Sequence, residues 1–547
     1  MPDDIQNEWK EAVDLIVTSN HPKKVVVAGP GAGKTTLFKK LLQKSTTAKP
    51  DASHLVLTFI NGLAAELEAD LGGFAAVFTF HGYCFKLLHK NPHLREGLTD
   101  SFQVFPQLAS IIKSDWAIQN QGGDAPQFVK EMRLAKENEA TEYFIGRSNY
   151  YNAVGFDDMI FRVYQKLEVA PHFSEKYNLL LVDEYQDFNL LEVSLIDILS
   201  GKSPIVIAGD DDQSLYGSFR ESSWNFIRGL YSSPEYESLG LPFCLRCPEV
   251  VVNAFDDVVK IATARNFLAG RIDKEYRYFP PVKMTDSLHH PKIKVLQTSV
   301  QRGGVNYFGK IIHNSIQKIP KEYITESRSK GFPTVLIIGN KQYLSQVSSF
   351  LKNLGYILDE KDDSRDSSGQ IGRNDGLYIL KKDPRARLGW RIMLEMDRPK
   401  FFTENLSEFL KFPNISDNLP AAYKEQVLAE ATALAEPTPT NPVIPESEKP
   451  TIKLTSFQGA KGLSAQYVFV VGLHNGDLPK DPNRITDMDI CKFLVALTRT
   501  RKQCYLIYTS LFAGVKKQPS EFLKWIGPSR KRYWYVNKEF LKANGIS

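Results

Sequence analysis

Short unbroken apolar runs, separated by polar stretches with helical periodicity, recur along this chain. Val25–Ala28, Leu55–Phe59 and Ala76–Phe80 come first, and Leu179–Val182 and Ile205–Ala208 resume the series after a gap. Runs without polar alternation suit strands buried on both faces, and helices between them supply the crossovers of a parallel sheet. A second series at Ile293–Gln297, Val335–Ile338, Ile452–Thr455, Tyr467–Val471 and Tyr505–Tyr508 predicts a second sheet. Each series is interrupted. Residues 86–150 are polar, helix-prone and poor in strands; residues 377–435 read as helical, between an exposed loop at 360–375 and a Pro-rich linker at 436–450. The expected fold class is α/β, with two parallel-sheet domains that each carry a mainly helical insertion. The expected boundaries are 1–85 with 151–243 for the first domain and 86–150 for its insertion. They are 244–356 with 450–547 for the second domain, and 357–449 for its shorter insertion.

Behind the first run stand Ala28-Gly29-Pro30-Gly31-Ala32-Gly33-Lys34-Thr35, then Thr36 and the helix-like Leu37–Leu42. Strand, glycine-rich loop and helix in that order make a phosphate cradle. Glycines let backbone N–H groups curl round phosphate oxygens, and the helix N-terminus adds partial positive charge. Lys34 would reach the β and γ phosphates of a nucleoside triphosphate, and the Thr35 hydroxyl would ligate Mg²⁺. The loop alone signals nucleotide binding. Leu181-Val182-Asp183-Glu184-Tyr185-Gln186-Asp187 adds Asp183 for the metal and Glu184 to orient or deprotonate water, which predicts hydrolysis.

The 547 residues exceed one ordinary domain, and 42% hydrophobic with 24% charged residues is a globular balance. A net charge of +5 does not by itself predict a polyanion partner. Residues 515–547, however, carry eight Lys or Arg against two Glu, including Arg530-Lys531-Arg532-Tyr533-Trp534-Tyr535. That basic aromatic segment reads equally as a nucleic-acid contact or as a solvated final strand. Five cysteines read as free thiols in a reducing compartment, and the lone Cys244/Cys247 pair lacks the further ligands zinc needs. No apolar run approaches the length of about 18 residues that a membrane span requires, so a soluble, cytoplasmic protein without membrane contact is expected.

Further motifs resemble those of UvrD/Rep-type superfamily 1 DNA helicases, in the family's order. They are Thr58-Phe59-Ile60-Asn61 with Ala64-Ala65-Glu66-Leu67, Thr79-Phe80-His81-Gly82-Tyr83-Cys84, and Ala208-Gly209-Asp210-Asp211-Asp212-Gln213-Ser214-Leu215-Tyr216. Leu245-Arg246-Cys247-Pro248, Lys453–Leu463 and Val495-Ala496-Leu497-Thr498-Arg499 complete the set. The resemblance implies two RecA-like motor domains with ATP and Mg²⁺ in the cleft between them. Lys34, Asp183, Glu184, Gln213, Arg246 and Arg499 would be catalytic, with Arg246 and Arg499 as fingers from the second domain, Gln213 as γ-phosphate sensor and Gly462 at the nucleotide. Phe59, Tyr216 and Phe219 would stack bases, and Asn61, His81 and Arg220 would contact the backbone. The implied activity is ATP-driven movement 3′ to 5′ on single-stranded DNA, or unwinding of a duplex with a single-stranded tail. Compact UvrD-like subunits of antiviral systems such as Gabija suggest an alternative, an end-sensing regulatory ATPase with a nuclease partner; an RNA translocase is another.

Several departures from that pattern concern the base and sugar. Trp9 stands where a Gln usually reads the adenine edge, Leu245 where a Tyr stacks, and Ser464 where a Glu holds the ribose. Every phosphate and metal group is kept. The sequence therefore predicts relaxed base selectivity or weaker ATP affinity. Gln458 replaces a usual His, and Glu221-Ser222 a usual Gly-Ala.

Overall fold

The computed structural model describes residues 2–59, 61–300, 306–360, 371–403, 406–435 and 449–546. The loop expected at 360–375 and the linker at 436–450 therefore fall largely outside the described residues.

The first sheet contains β1 (Lys23–Ala28), β2 (His54–Thr58), β3 (Ala76–Thr79), β4 (Leu179–Val182), β5 (Ile205–Gly209) and β6 (Glu237–Leu241). They pair in the order β3-β2-β4-β5-β1-β6, all parallel. Every residue of β2, β4 and β5 is buried, as helices on both faces require. β6 is an edge strand that exposes alternate residues and so gives no apolar run to read.

The second sheet contains β7 (Ile293–Val300), β8 (Val335–Ile338), β9 (Leu358–Asp359), β10 (Ile452–Thr455), β11 (Ala465–Val471), β12 (Thr500–Phe512), β13 (Val515–Lys516) and β14 (Lys531–Tyr535). Its order is β9-β10-β8-β11-β12-β7-β14, parallel throughout, with β13 folding back antiparallel on β12. The basic aromatic segment is thus an edge strand. In both sheets the loops at the C-terminal ends of the strands carry the sequence motifs, where open α/β sheets place ligands.

Helices Leu108–Gln119, Phe128–Arg133 and Glu139–Tyr151 interrupt the first sheet, and Arg373–Lys382, Arg387–Asp397 and Ala421–Ala433 interrupt the second. The two helical groups meet through buried charge. Asp115 accepts from Arg391 Nε at 2.8 Å and Arg147 Nε at 2.9 Å, and the Tyr151 hydroxyl donates to it at 2.6 Å. Asp115 and Arg391 are both fully buried. Tyr150 donates to the Phe412 carbonyl at 2.8 Å, which closes the junction. No helix among the described residues is long and apolar enough to cross a membrane. All five cysteines are free and buried.

Candidate functional site: a phosphate-binding cleft between two sheets

From the end of β1 the chain turns through Gly29–Gly33 into the helix Lys34–Ala48. Close approach explains two of the glycines. A Cβ on Gly31, whose φ is +73°, would stand 2.5 Å from the Arg246 Cβ, and one on Gly29 would stand 2.5 Å from the Tyr276 ring. The Tyr276 hydroxyl donates to the Pro30 carbonyl at 2.8 Å, and the Leu245 N–H donates to the Gly31 carbonyl at 2.9 Å. The loop is therefore braced by the segment that carries Arg246.

β4 delivers Asp183 and Glu184 beneath this loop. Glu184 adopts the left-handed conformation at φ +54°, uncommon for a residue with a Cβ. The result is a tight cluster: Lys34 Nζ lies 2.9 Å from Asp183 Oδ1 and 2.5 Å from Glu184 Oε1. Burial works against the charges here. It raises Asp183, aided by the neighbouring Glu184 charge and opposed by Lys34. Glu184 also feels burial, but Lys34 and Lys461 outweigh it and hold the carboxyl well below the ordinary range. Lys34 is raised in turn, because Asp183 and Glu184 overcome its own desolvation. Gln186 Nε2 donates to Glu184 Oε2 at 2.7 Å, and its Oε1 accepts from the Asp210 N–H at 2.9 Å.

Across the cleft, Arg499 ends the helix Asp487–Thr498 of the second sheet's layer. Its Nη2 donates to Gln213 Oε1 at 2.8 Å, and Gln213 Nε2 donates to Asp210 Oδ2 at 2.7 Å. Burial and then the Arg246 charge lower Arg499 to about 10, which leaves it cationic at neutral pH. Lys461 pairs with Asp187 and donates to the Gln213 carbonyl. Asp210 itself is held by Lys274 at 2.8 Å, a residue without a motif signal in the sequence.

These groups enclose a cavity of about 290 Å³. Gly29, Pro30, Gly31, Ala32, Gly33, Lys34, Thr35 and Thr36 form one wall with Asp183 and Glu184, and Gln213, Arg246, Gly462 and Arg499 face them. Ala28, which completes the expected loop, is buried at the end of β1. Thr35 and Asp183 present hard oxygens to the same space, the donor type Mg²⁺ takes alongside phosphate oxygens and water, so these residues fit that ion.

Leu63, Glu66 and Arg501 also line the cavity. Arg501 Nε donates to Ser464 Oγ at 2.9 Å, so the serine that replaces a ribose-binding acid is occupied by an arginine. Trp9 packs on Phe279, with centroids 5.8 Å apart, and is not among the lining residues. Leu245 is, but offers an aliphatic surface in place of a stacking ring.

The expected nucleic-acid contacts are mostly interior. Phe59 (8% exposed) packs against Phe188 and Tyr216 with centroids 5.9 and 5.0 Å away, and the Arg220 guanidinium sits 4.5 Å above its ring. Tyr216 donates to the Gln458 carbonyl at 3.2 Å, and Arg220 reaches Glu192 at 3.4 Å. His81 is lowered to about 3, by burial and then the Arg220 charge, and its Nε2 is buried without a partner among the described residues. The hydroxyls of Thr58 and Thr455, at the C-terminal ends of β2 and β10, are buried without partners as well. Asn61 and Phe219 sit in helices Asn61–Leu71 and Gly217–Arg220, and their side chains lie outside the described residues.

The family model described as "UvrD/REP helicase N-terminal domain" matches residues 9–143 and 119–234. The chain is 22% identical over 645 residues to "ATP-dependent DNA helicase PcrA" of Staphylococcus aureus (strain Mu50 / ATCC 700699), covering 95% of this chain and 86% of that protein. It is 23% identical over 408 residues to the protein of the same name from Staphylococcus epidermidis (strain ATCC 12228 / FDA PCI 1200), covering 66% of this chain and 55% of that protein.

Proposed function

Because the chain is a member of the UvrD/Rep-type superfamily 1 group, we propose that it is an ATP-dependent DNA helicase or translocase that hydrolyses ATP in the cleft between its two sheets. One observation carries the reading. Lys34 and Glu184 from the first sheet and Arg499 from the second converge on one cavity, with Gln213 bonded to the arginine. Lys34 is held by carboxylates without nucleotide, so an arriving triphosphate would draw it off Glu184 and free that base to orient water. Arg246 and Arg499 would then meet charge that develops on the phosphoryl oxygens. Mg²⁺, held by Thr35 and Asp183, would supply further charge on the same oxygens. Closure reaches the strand track through Lys461, which grips Gln213, and through the Gln458 carbonyl, which takes the Tyr216 hydroxyl.

Single-stranded DNA as the track and 3′ to 5′ polarity come from the family resemblance. The orphaned polar atoms of Thr58, His81 and Thr455 support a ligand along those strand ends. A second reading, an end-sensing regulatory ATPase with a partner nuclease, draws on the buried charge junction between the two insertions, which disfavours the large excursions of processive unwinding.

The test is ATPase and strand displacement on 3′-tailed, 5′-tailed and blunt duplexes, with DNA and RNA strands of one sequence compared and Lys34→Ala as control. Displacement from the 3′-tailed substrate supports the helicase. ATPase stimulated by ends without displacement favours the regulatory reading. ATPase equal with and without nucleic acid sinks the motor, and displacement from the 5′-tailed substrate alone sinks the polarity.

A further inference from the structure

The basic aromatic segment is left unused by the cleft, and its placement in the second sheet is informative. β14 pairs with β7 on one side and, among the described residues, has an open edge on the other. Strand alternation puts Lys531, Tyr533 and Tyr535 on one face and Arg532 with Trp534 on the other. The inward face is satisfied: Trp534 is half-buried against Phe540, and Lys294 lies 5.3 Å from its ring. The outward face is not. Tyr533 is 56% exposed and Tyr535 58%, although both belong to a regular strand beside a well-packed core.

The neighbouring strands extend this face. Tyr535 is in register with Gln297, which is in register with Tyr508, and the Tyr508 hydroxyl donates to Gln297 Oε1 at 2.7 Å. A lysine flanks the rings, with Lys531 Nζ 5.5 Å from the Tyr533 centroid. Arg532 lies on the other face, with its guanidinium 5.8 Å from the Trp534 ring. Exposed tyrosines with a lysine beside them suit a polyanion with flat apolar groups. A protein partner with an apolar face would gain nothing from that lysine, and a duplex hides its base faces.

We propose that Tyr533 and Tyr535 form an auxiliary platform for single-stranded nucleic acid, outside the track at the cleft; this rests on the reading of the chain as a DNA motor. Spacing favours a single strand. Alternate residues of a strand are about 6.6 Å apart, roughly double the 3.4 Å per nucleotide of a stacked strand. Bases seated on both rings are therefore unstacked from each other, which duplex geometry forbids. Lys531 and the N–H groups of the open edge are left for the phosphates.

The experiment uses the whole chain and labelled oligothymidylates of about 10 and about 30 nucleotides, with affinity measured at fixed salt. Tyr533→Ala/Tyr535→Ala is expected to weaken binding of the long strand about fivefold or more and to leave the short strand unchanged, because only a long strand reaches past the track. Tyr533→Phe/Tyr535→Phe keeps the rings and is expected to bind like wild type. Basal ATPase stays unchanged in all variants, which reports that the fold is intact. Equal affinity of wild type and the alanine variant for the long strand overturns the proposal and leaves the face to a protein occupant. An equal loss for both lengths also overturns it. Wild-type protein that binds neither strand sinks the motor reading itself, and this proposal with it.

Discussion

Lys274→Met should damage both stability and turnover although Lys274 touches no nucleotide. Its ammonium sits 2.8 Å from Asp210 Oδ1 and 3.0 Å from Asp212 Oδ2 and also pairs with Asp211. All three carboxylates are buried. Arg228 takes Asp211 at 2.8 Å and Arg271 takes Asp212 at 2.8 Å, but among the described residues Lys274 is the only cation on Asp210. Methionine keeps the length of the stem and deletes the charge. Removing one partner of a buried ion pair costs about 3–5 kcal/mol, a large share of the roughly 5–15 kcal/mol that holds a domain folded. The second effect is local. Asp210 fixes Gln213, and Gln213 fixes Arg499, so an uncompensated Asp210 that turns away unseats the Arg499 side chain. A charge-assisted hydrogen bond lost at that link is worth about 1.5–3 kcal/mol, or roughly 10- to 150-fold in kcat. The KM for ATP should move little, since Lys34 and the phosphate loop are untouched. Urea unfolding midpoints and steady-state ATPase measure the two effects, with Lys274→Arg as the charge-preserving control. A Lys274→Met protein with wild-type midpoint, and kcat within about twofold, would refute the chain of positioning argued here.

Four further outcomes are expected. Lys34→Ala should lower the ATPase kcat at least about 100-fold, as loss of a preorganised cation at developing charge does, and a smaller loss would remove Lys34 from the phosphate site. ATP, GTP and CTP should compete within about a hundredfold of one another, because Leu245 and the occupied Ser464 leave the base and sugar few polar partners; a sharper preference for ATP contradicts this. Arg391→Met should loosen the junction between the insertions by about 3–5 kcal/mol and speed proteolysis there, and unchanged proteolysis would count against the junction. Glu192 is lifted to about 7 by burial against the Arg220 charge, above its ordinary 4.5. The folded state thus binds that proton more tightly than the unfolded chain. Its contribution is complete below about pH 4.5 and is lost as pH rises through about 7, so Glu192→Gln should flatten the fall of the urea midpoint across that window.

What the sequence reveals follows from where the information is stored. β1, β2, β4, β5, β8, β10 and β11 are legible because strands covered on both faces are largely apolar, and the few polar residues within them are buried or nearly so. β6 is not: it is an edge strand, exposes Glu237, Ser238 and Gly240, and carries a glycine mid-strand. Lys34, Asp183 and Glu184 are legible because a loop between strand and helix dictates its own contacts. Arg501 and Lys274 are silent because their partners lie on other elements, and only the fold decides which charges meet. Phe59 and Tyr216 show the limit of motif reading. An aromatic at the end of a strand can face solvent or core with the same local sequence, and here each lies in the core with a neighbouring ring.

That burial ties the nucleotide and strand sites together. Phe59, Tyr216 and Arg220 form one stacked group, and the Tyr216 hydroxyl ties it to the Gln458 carbonyl. Three residues later Lys461 holds the Gln213 carbonyl and Asp187. A single short segment, 458–462, thus touches the aromatic group at one end and Gln213 at the other, where Gly462 lines the cavity. Lys34, meanwhile, is neutralised by Asp183 and Glu184. In this arrangement Lys34 is paired with carboxylates and the Phe59 and Tyr216 rings are covered. A triphosphate that withdraws Lys34 from Glu184 also changes the charge that Lys461 faces, 3.9 Å from Glu184 Oε2. The segment that must respond is the one clasping Tyr216. In the proposed motor, coupling of hydrolysis to the strand needs no long relay, because Lys461 and Gln458 are three residues apart on one loop.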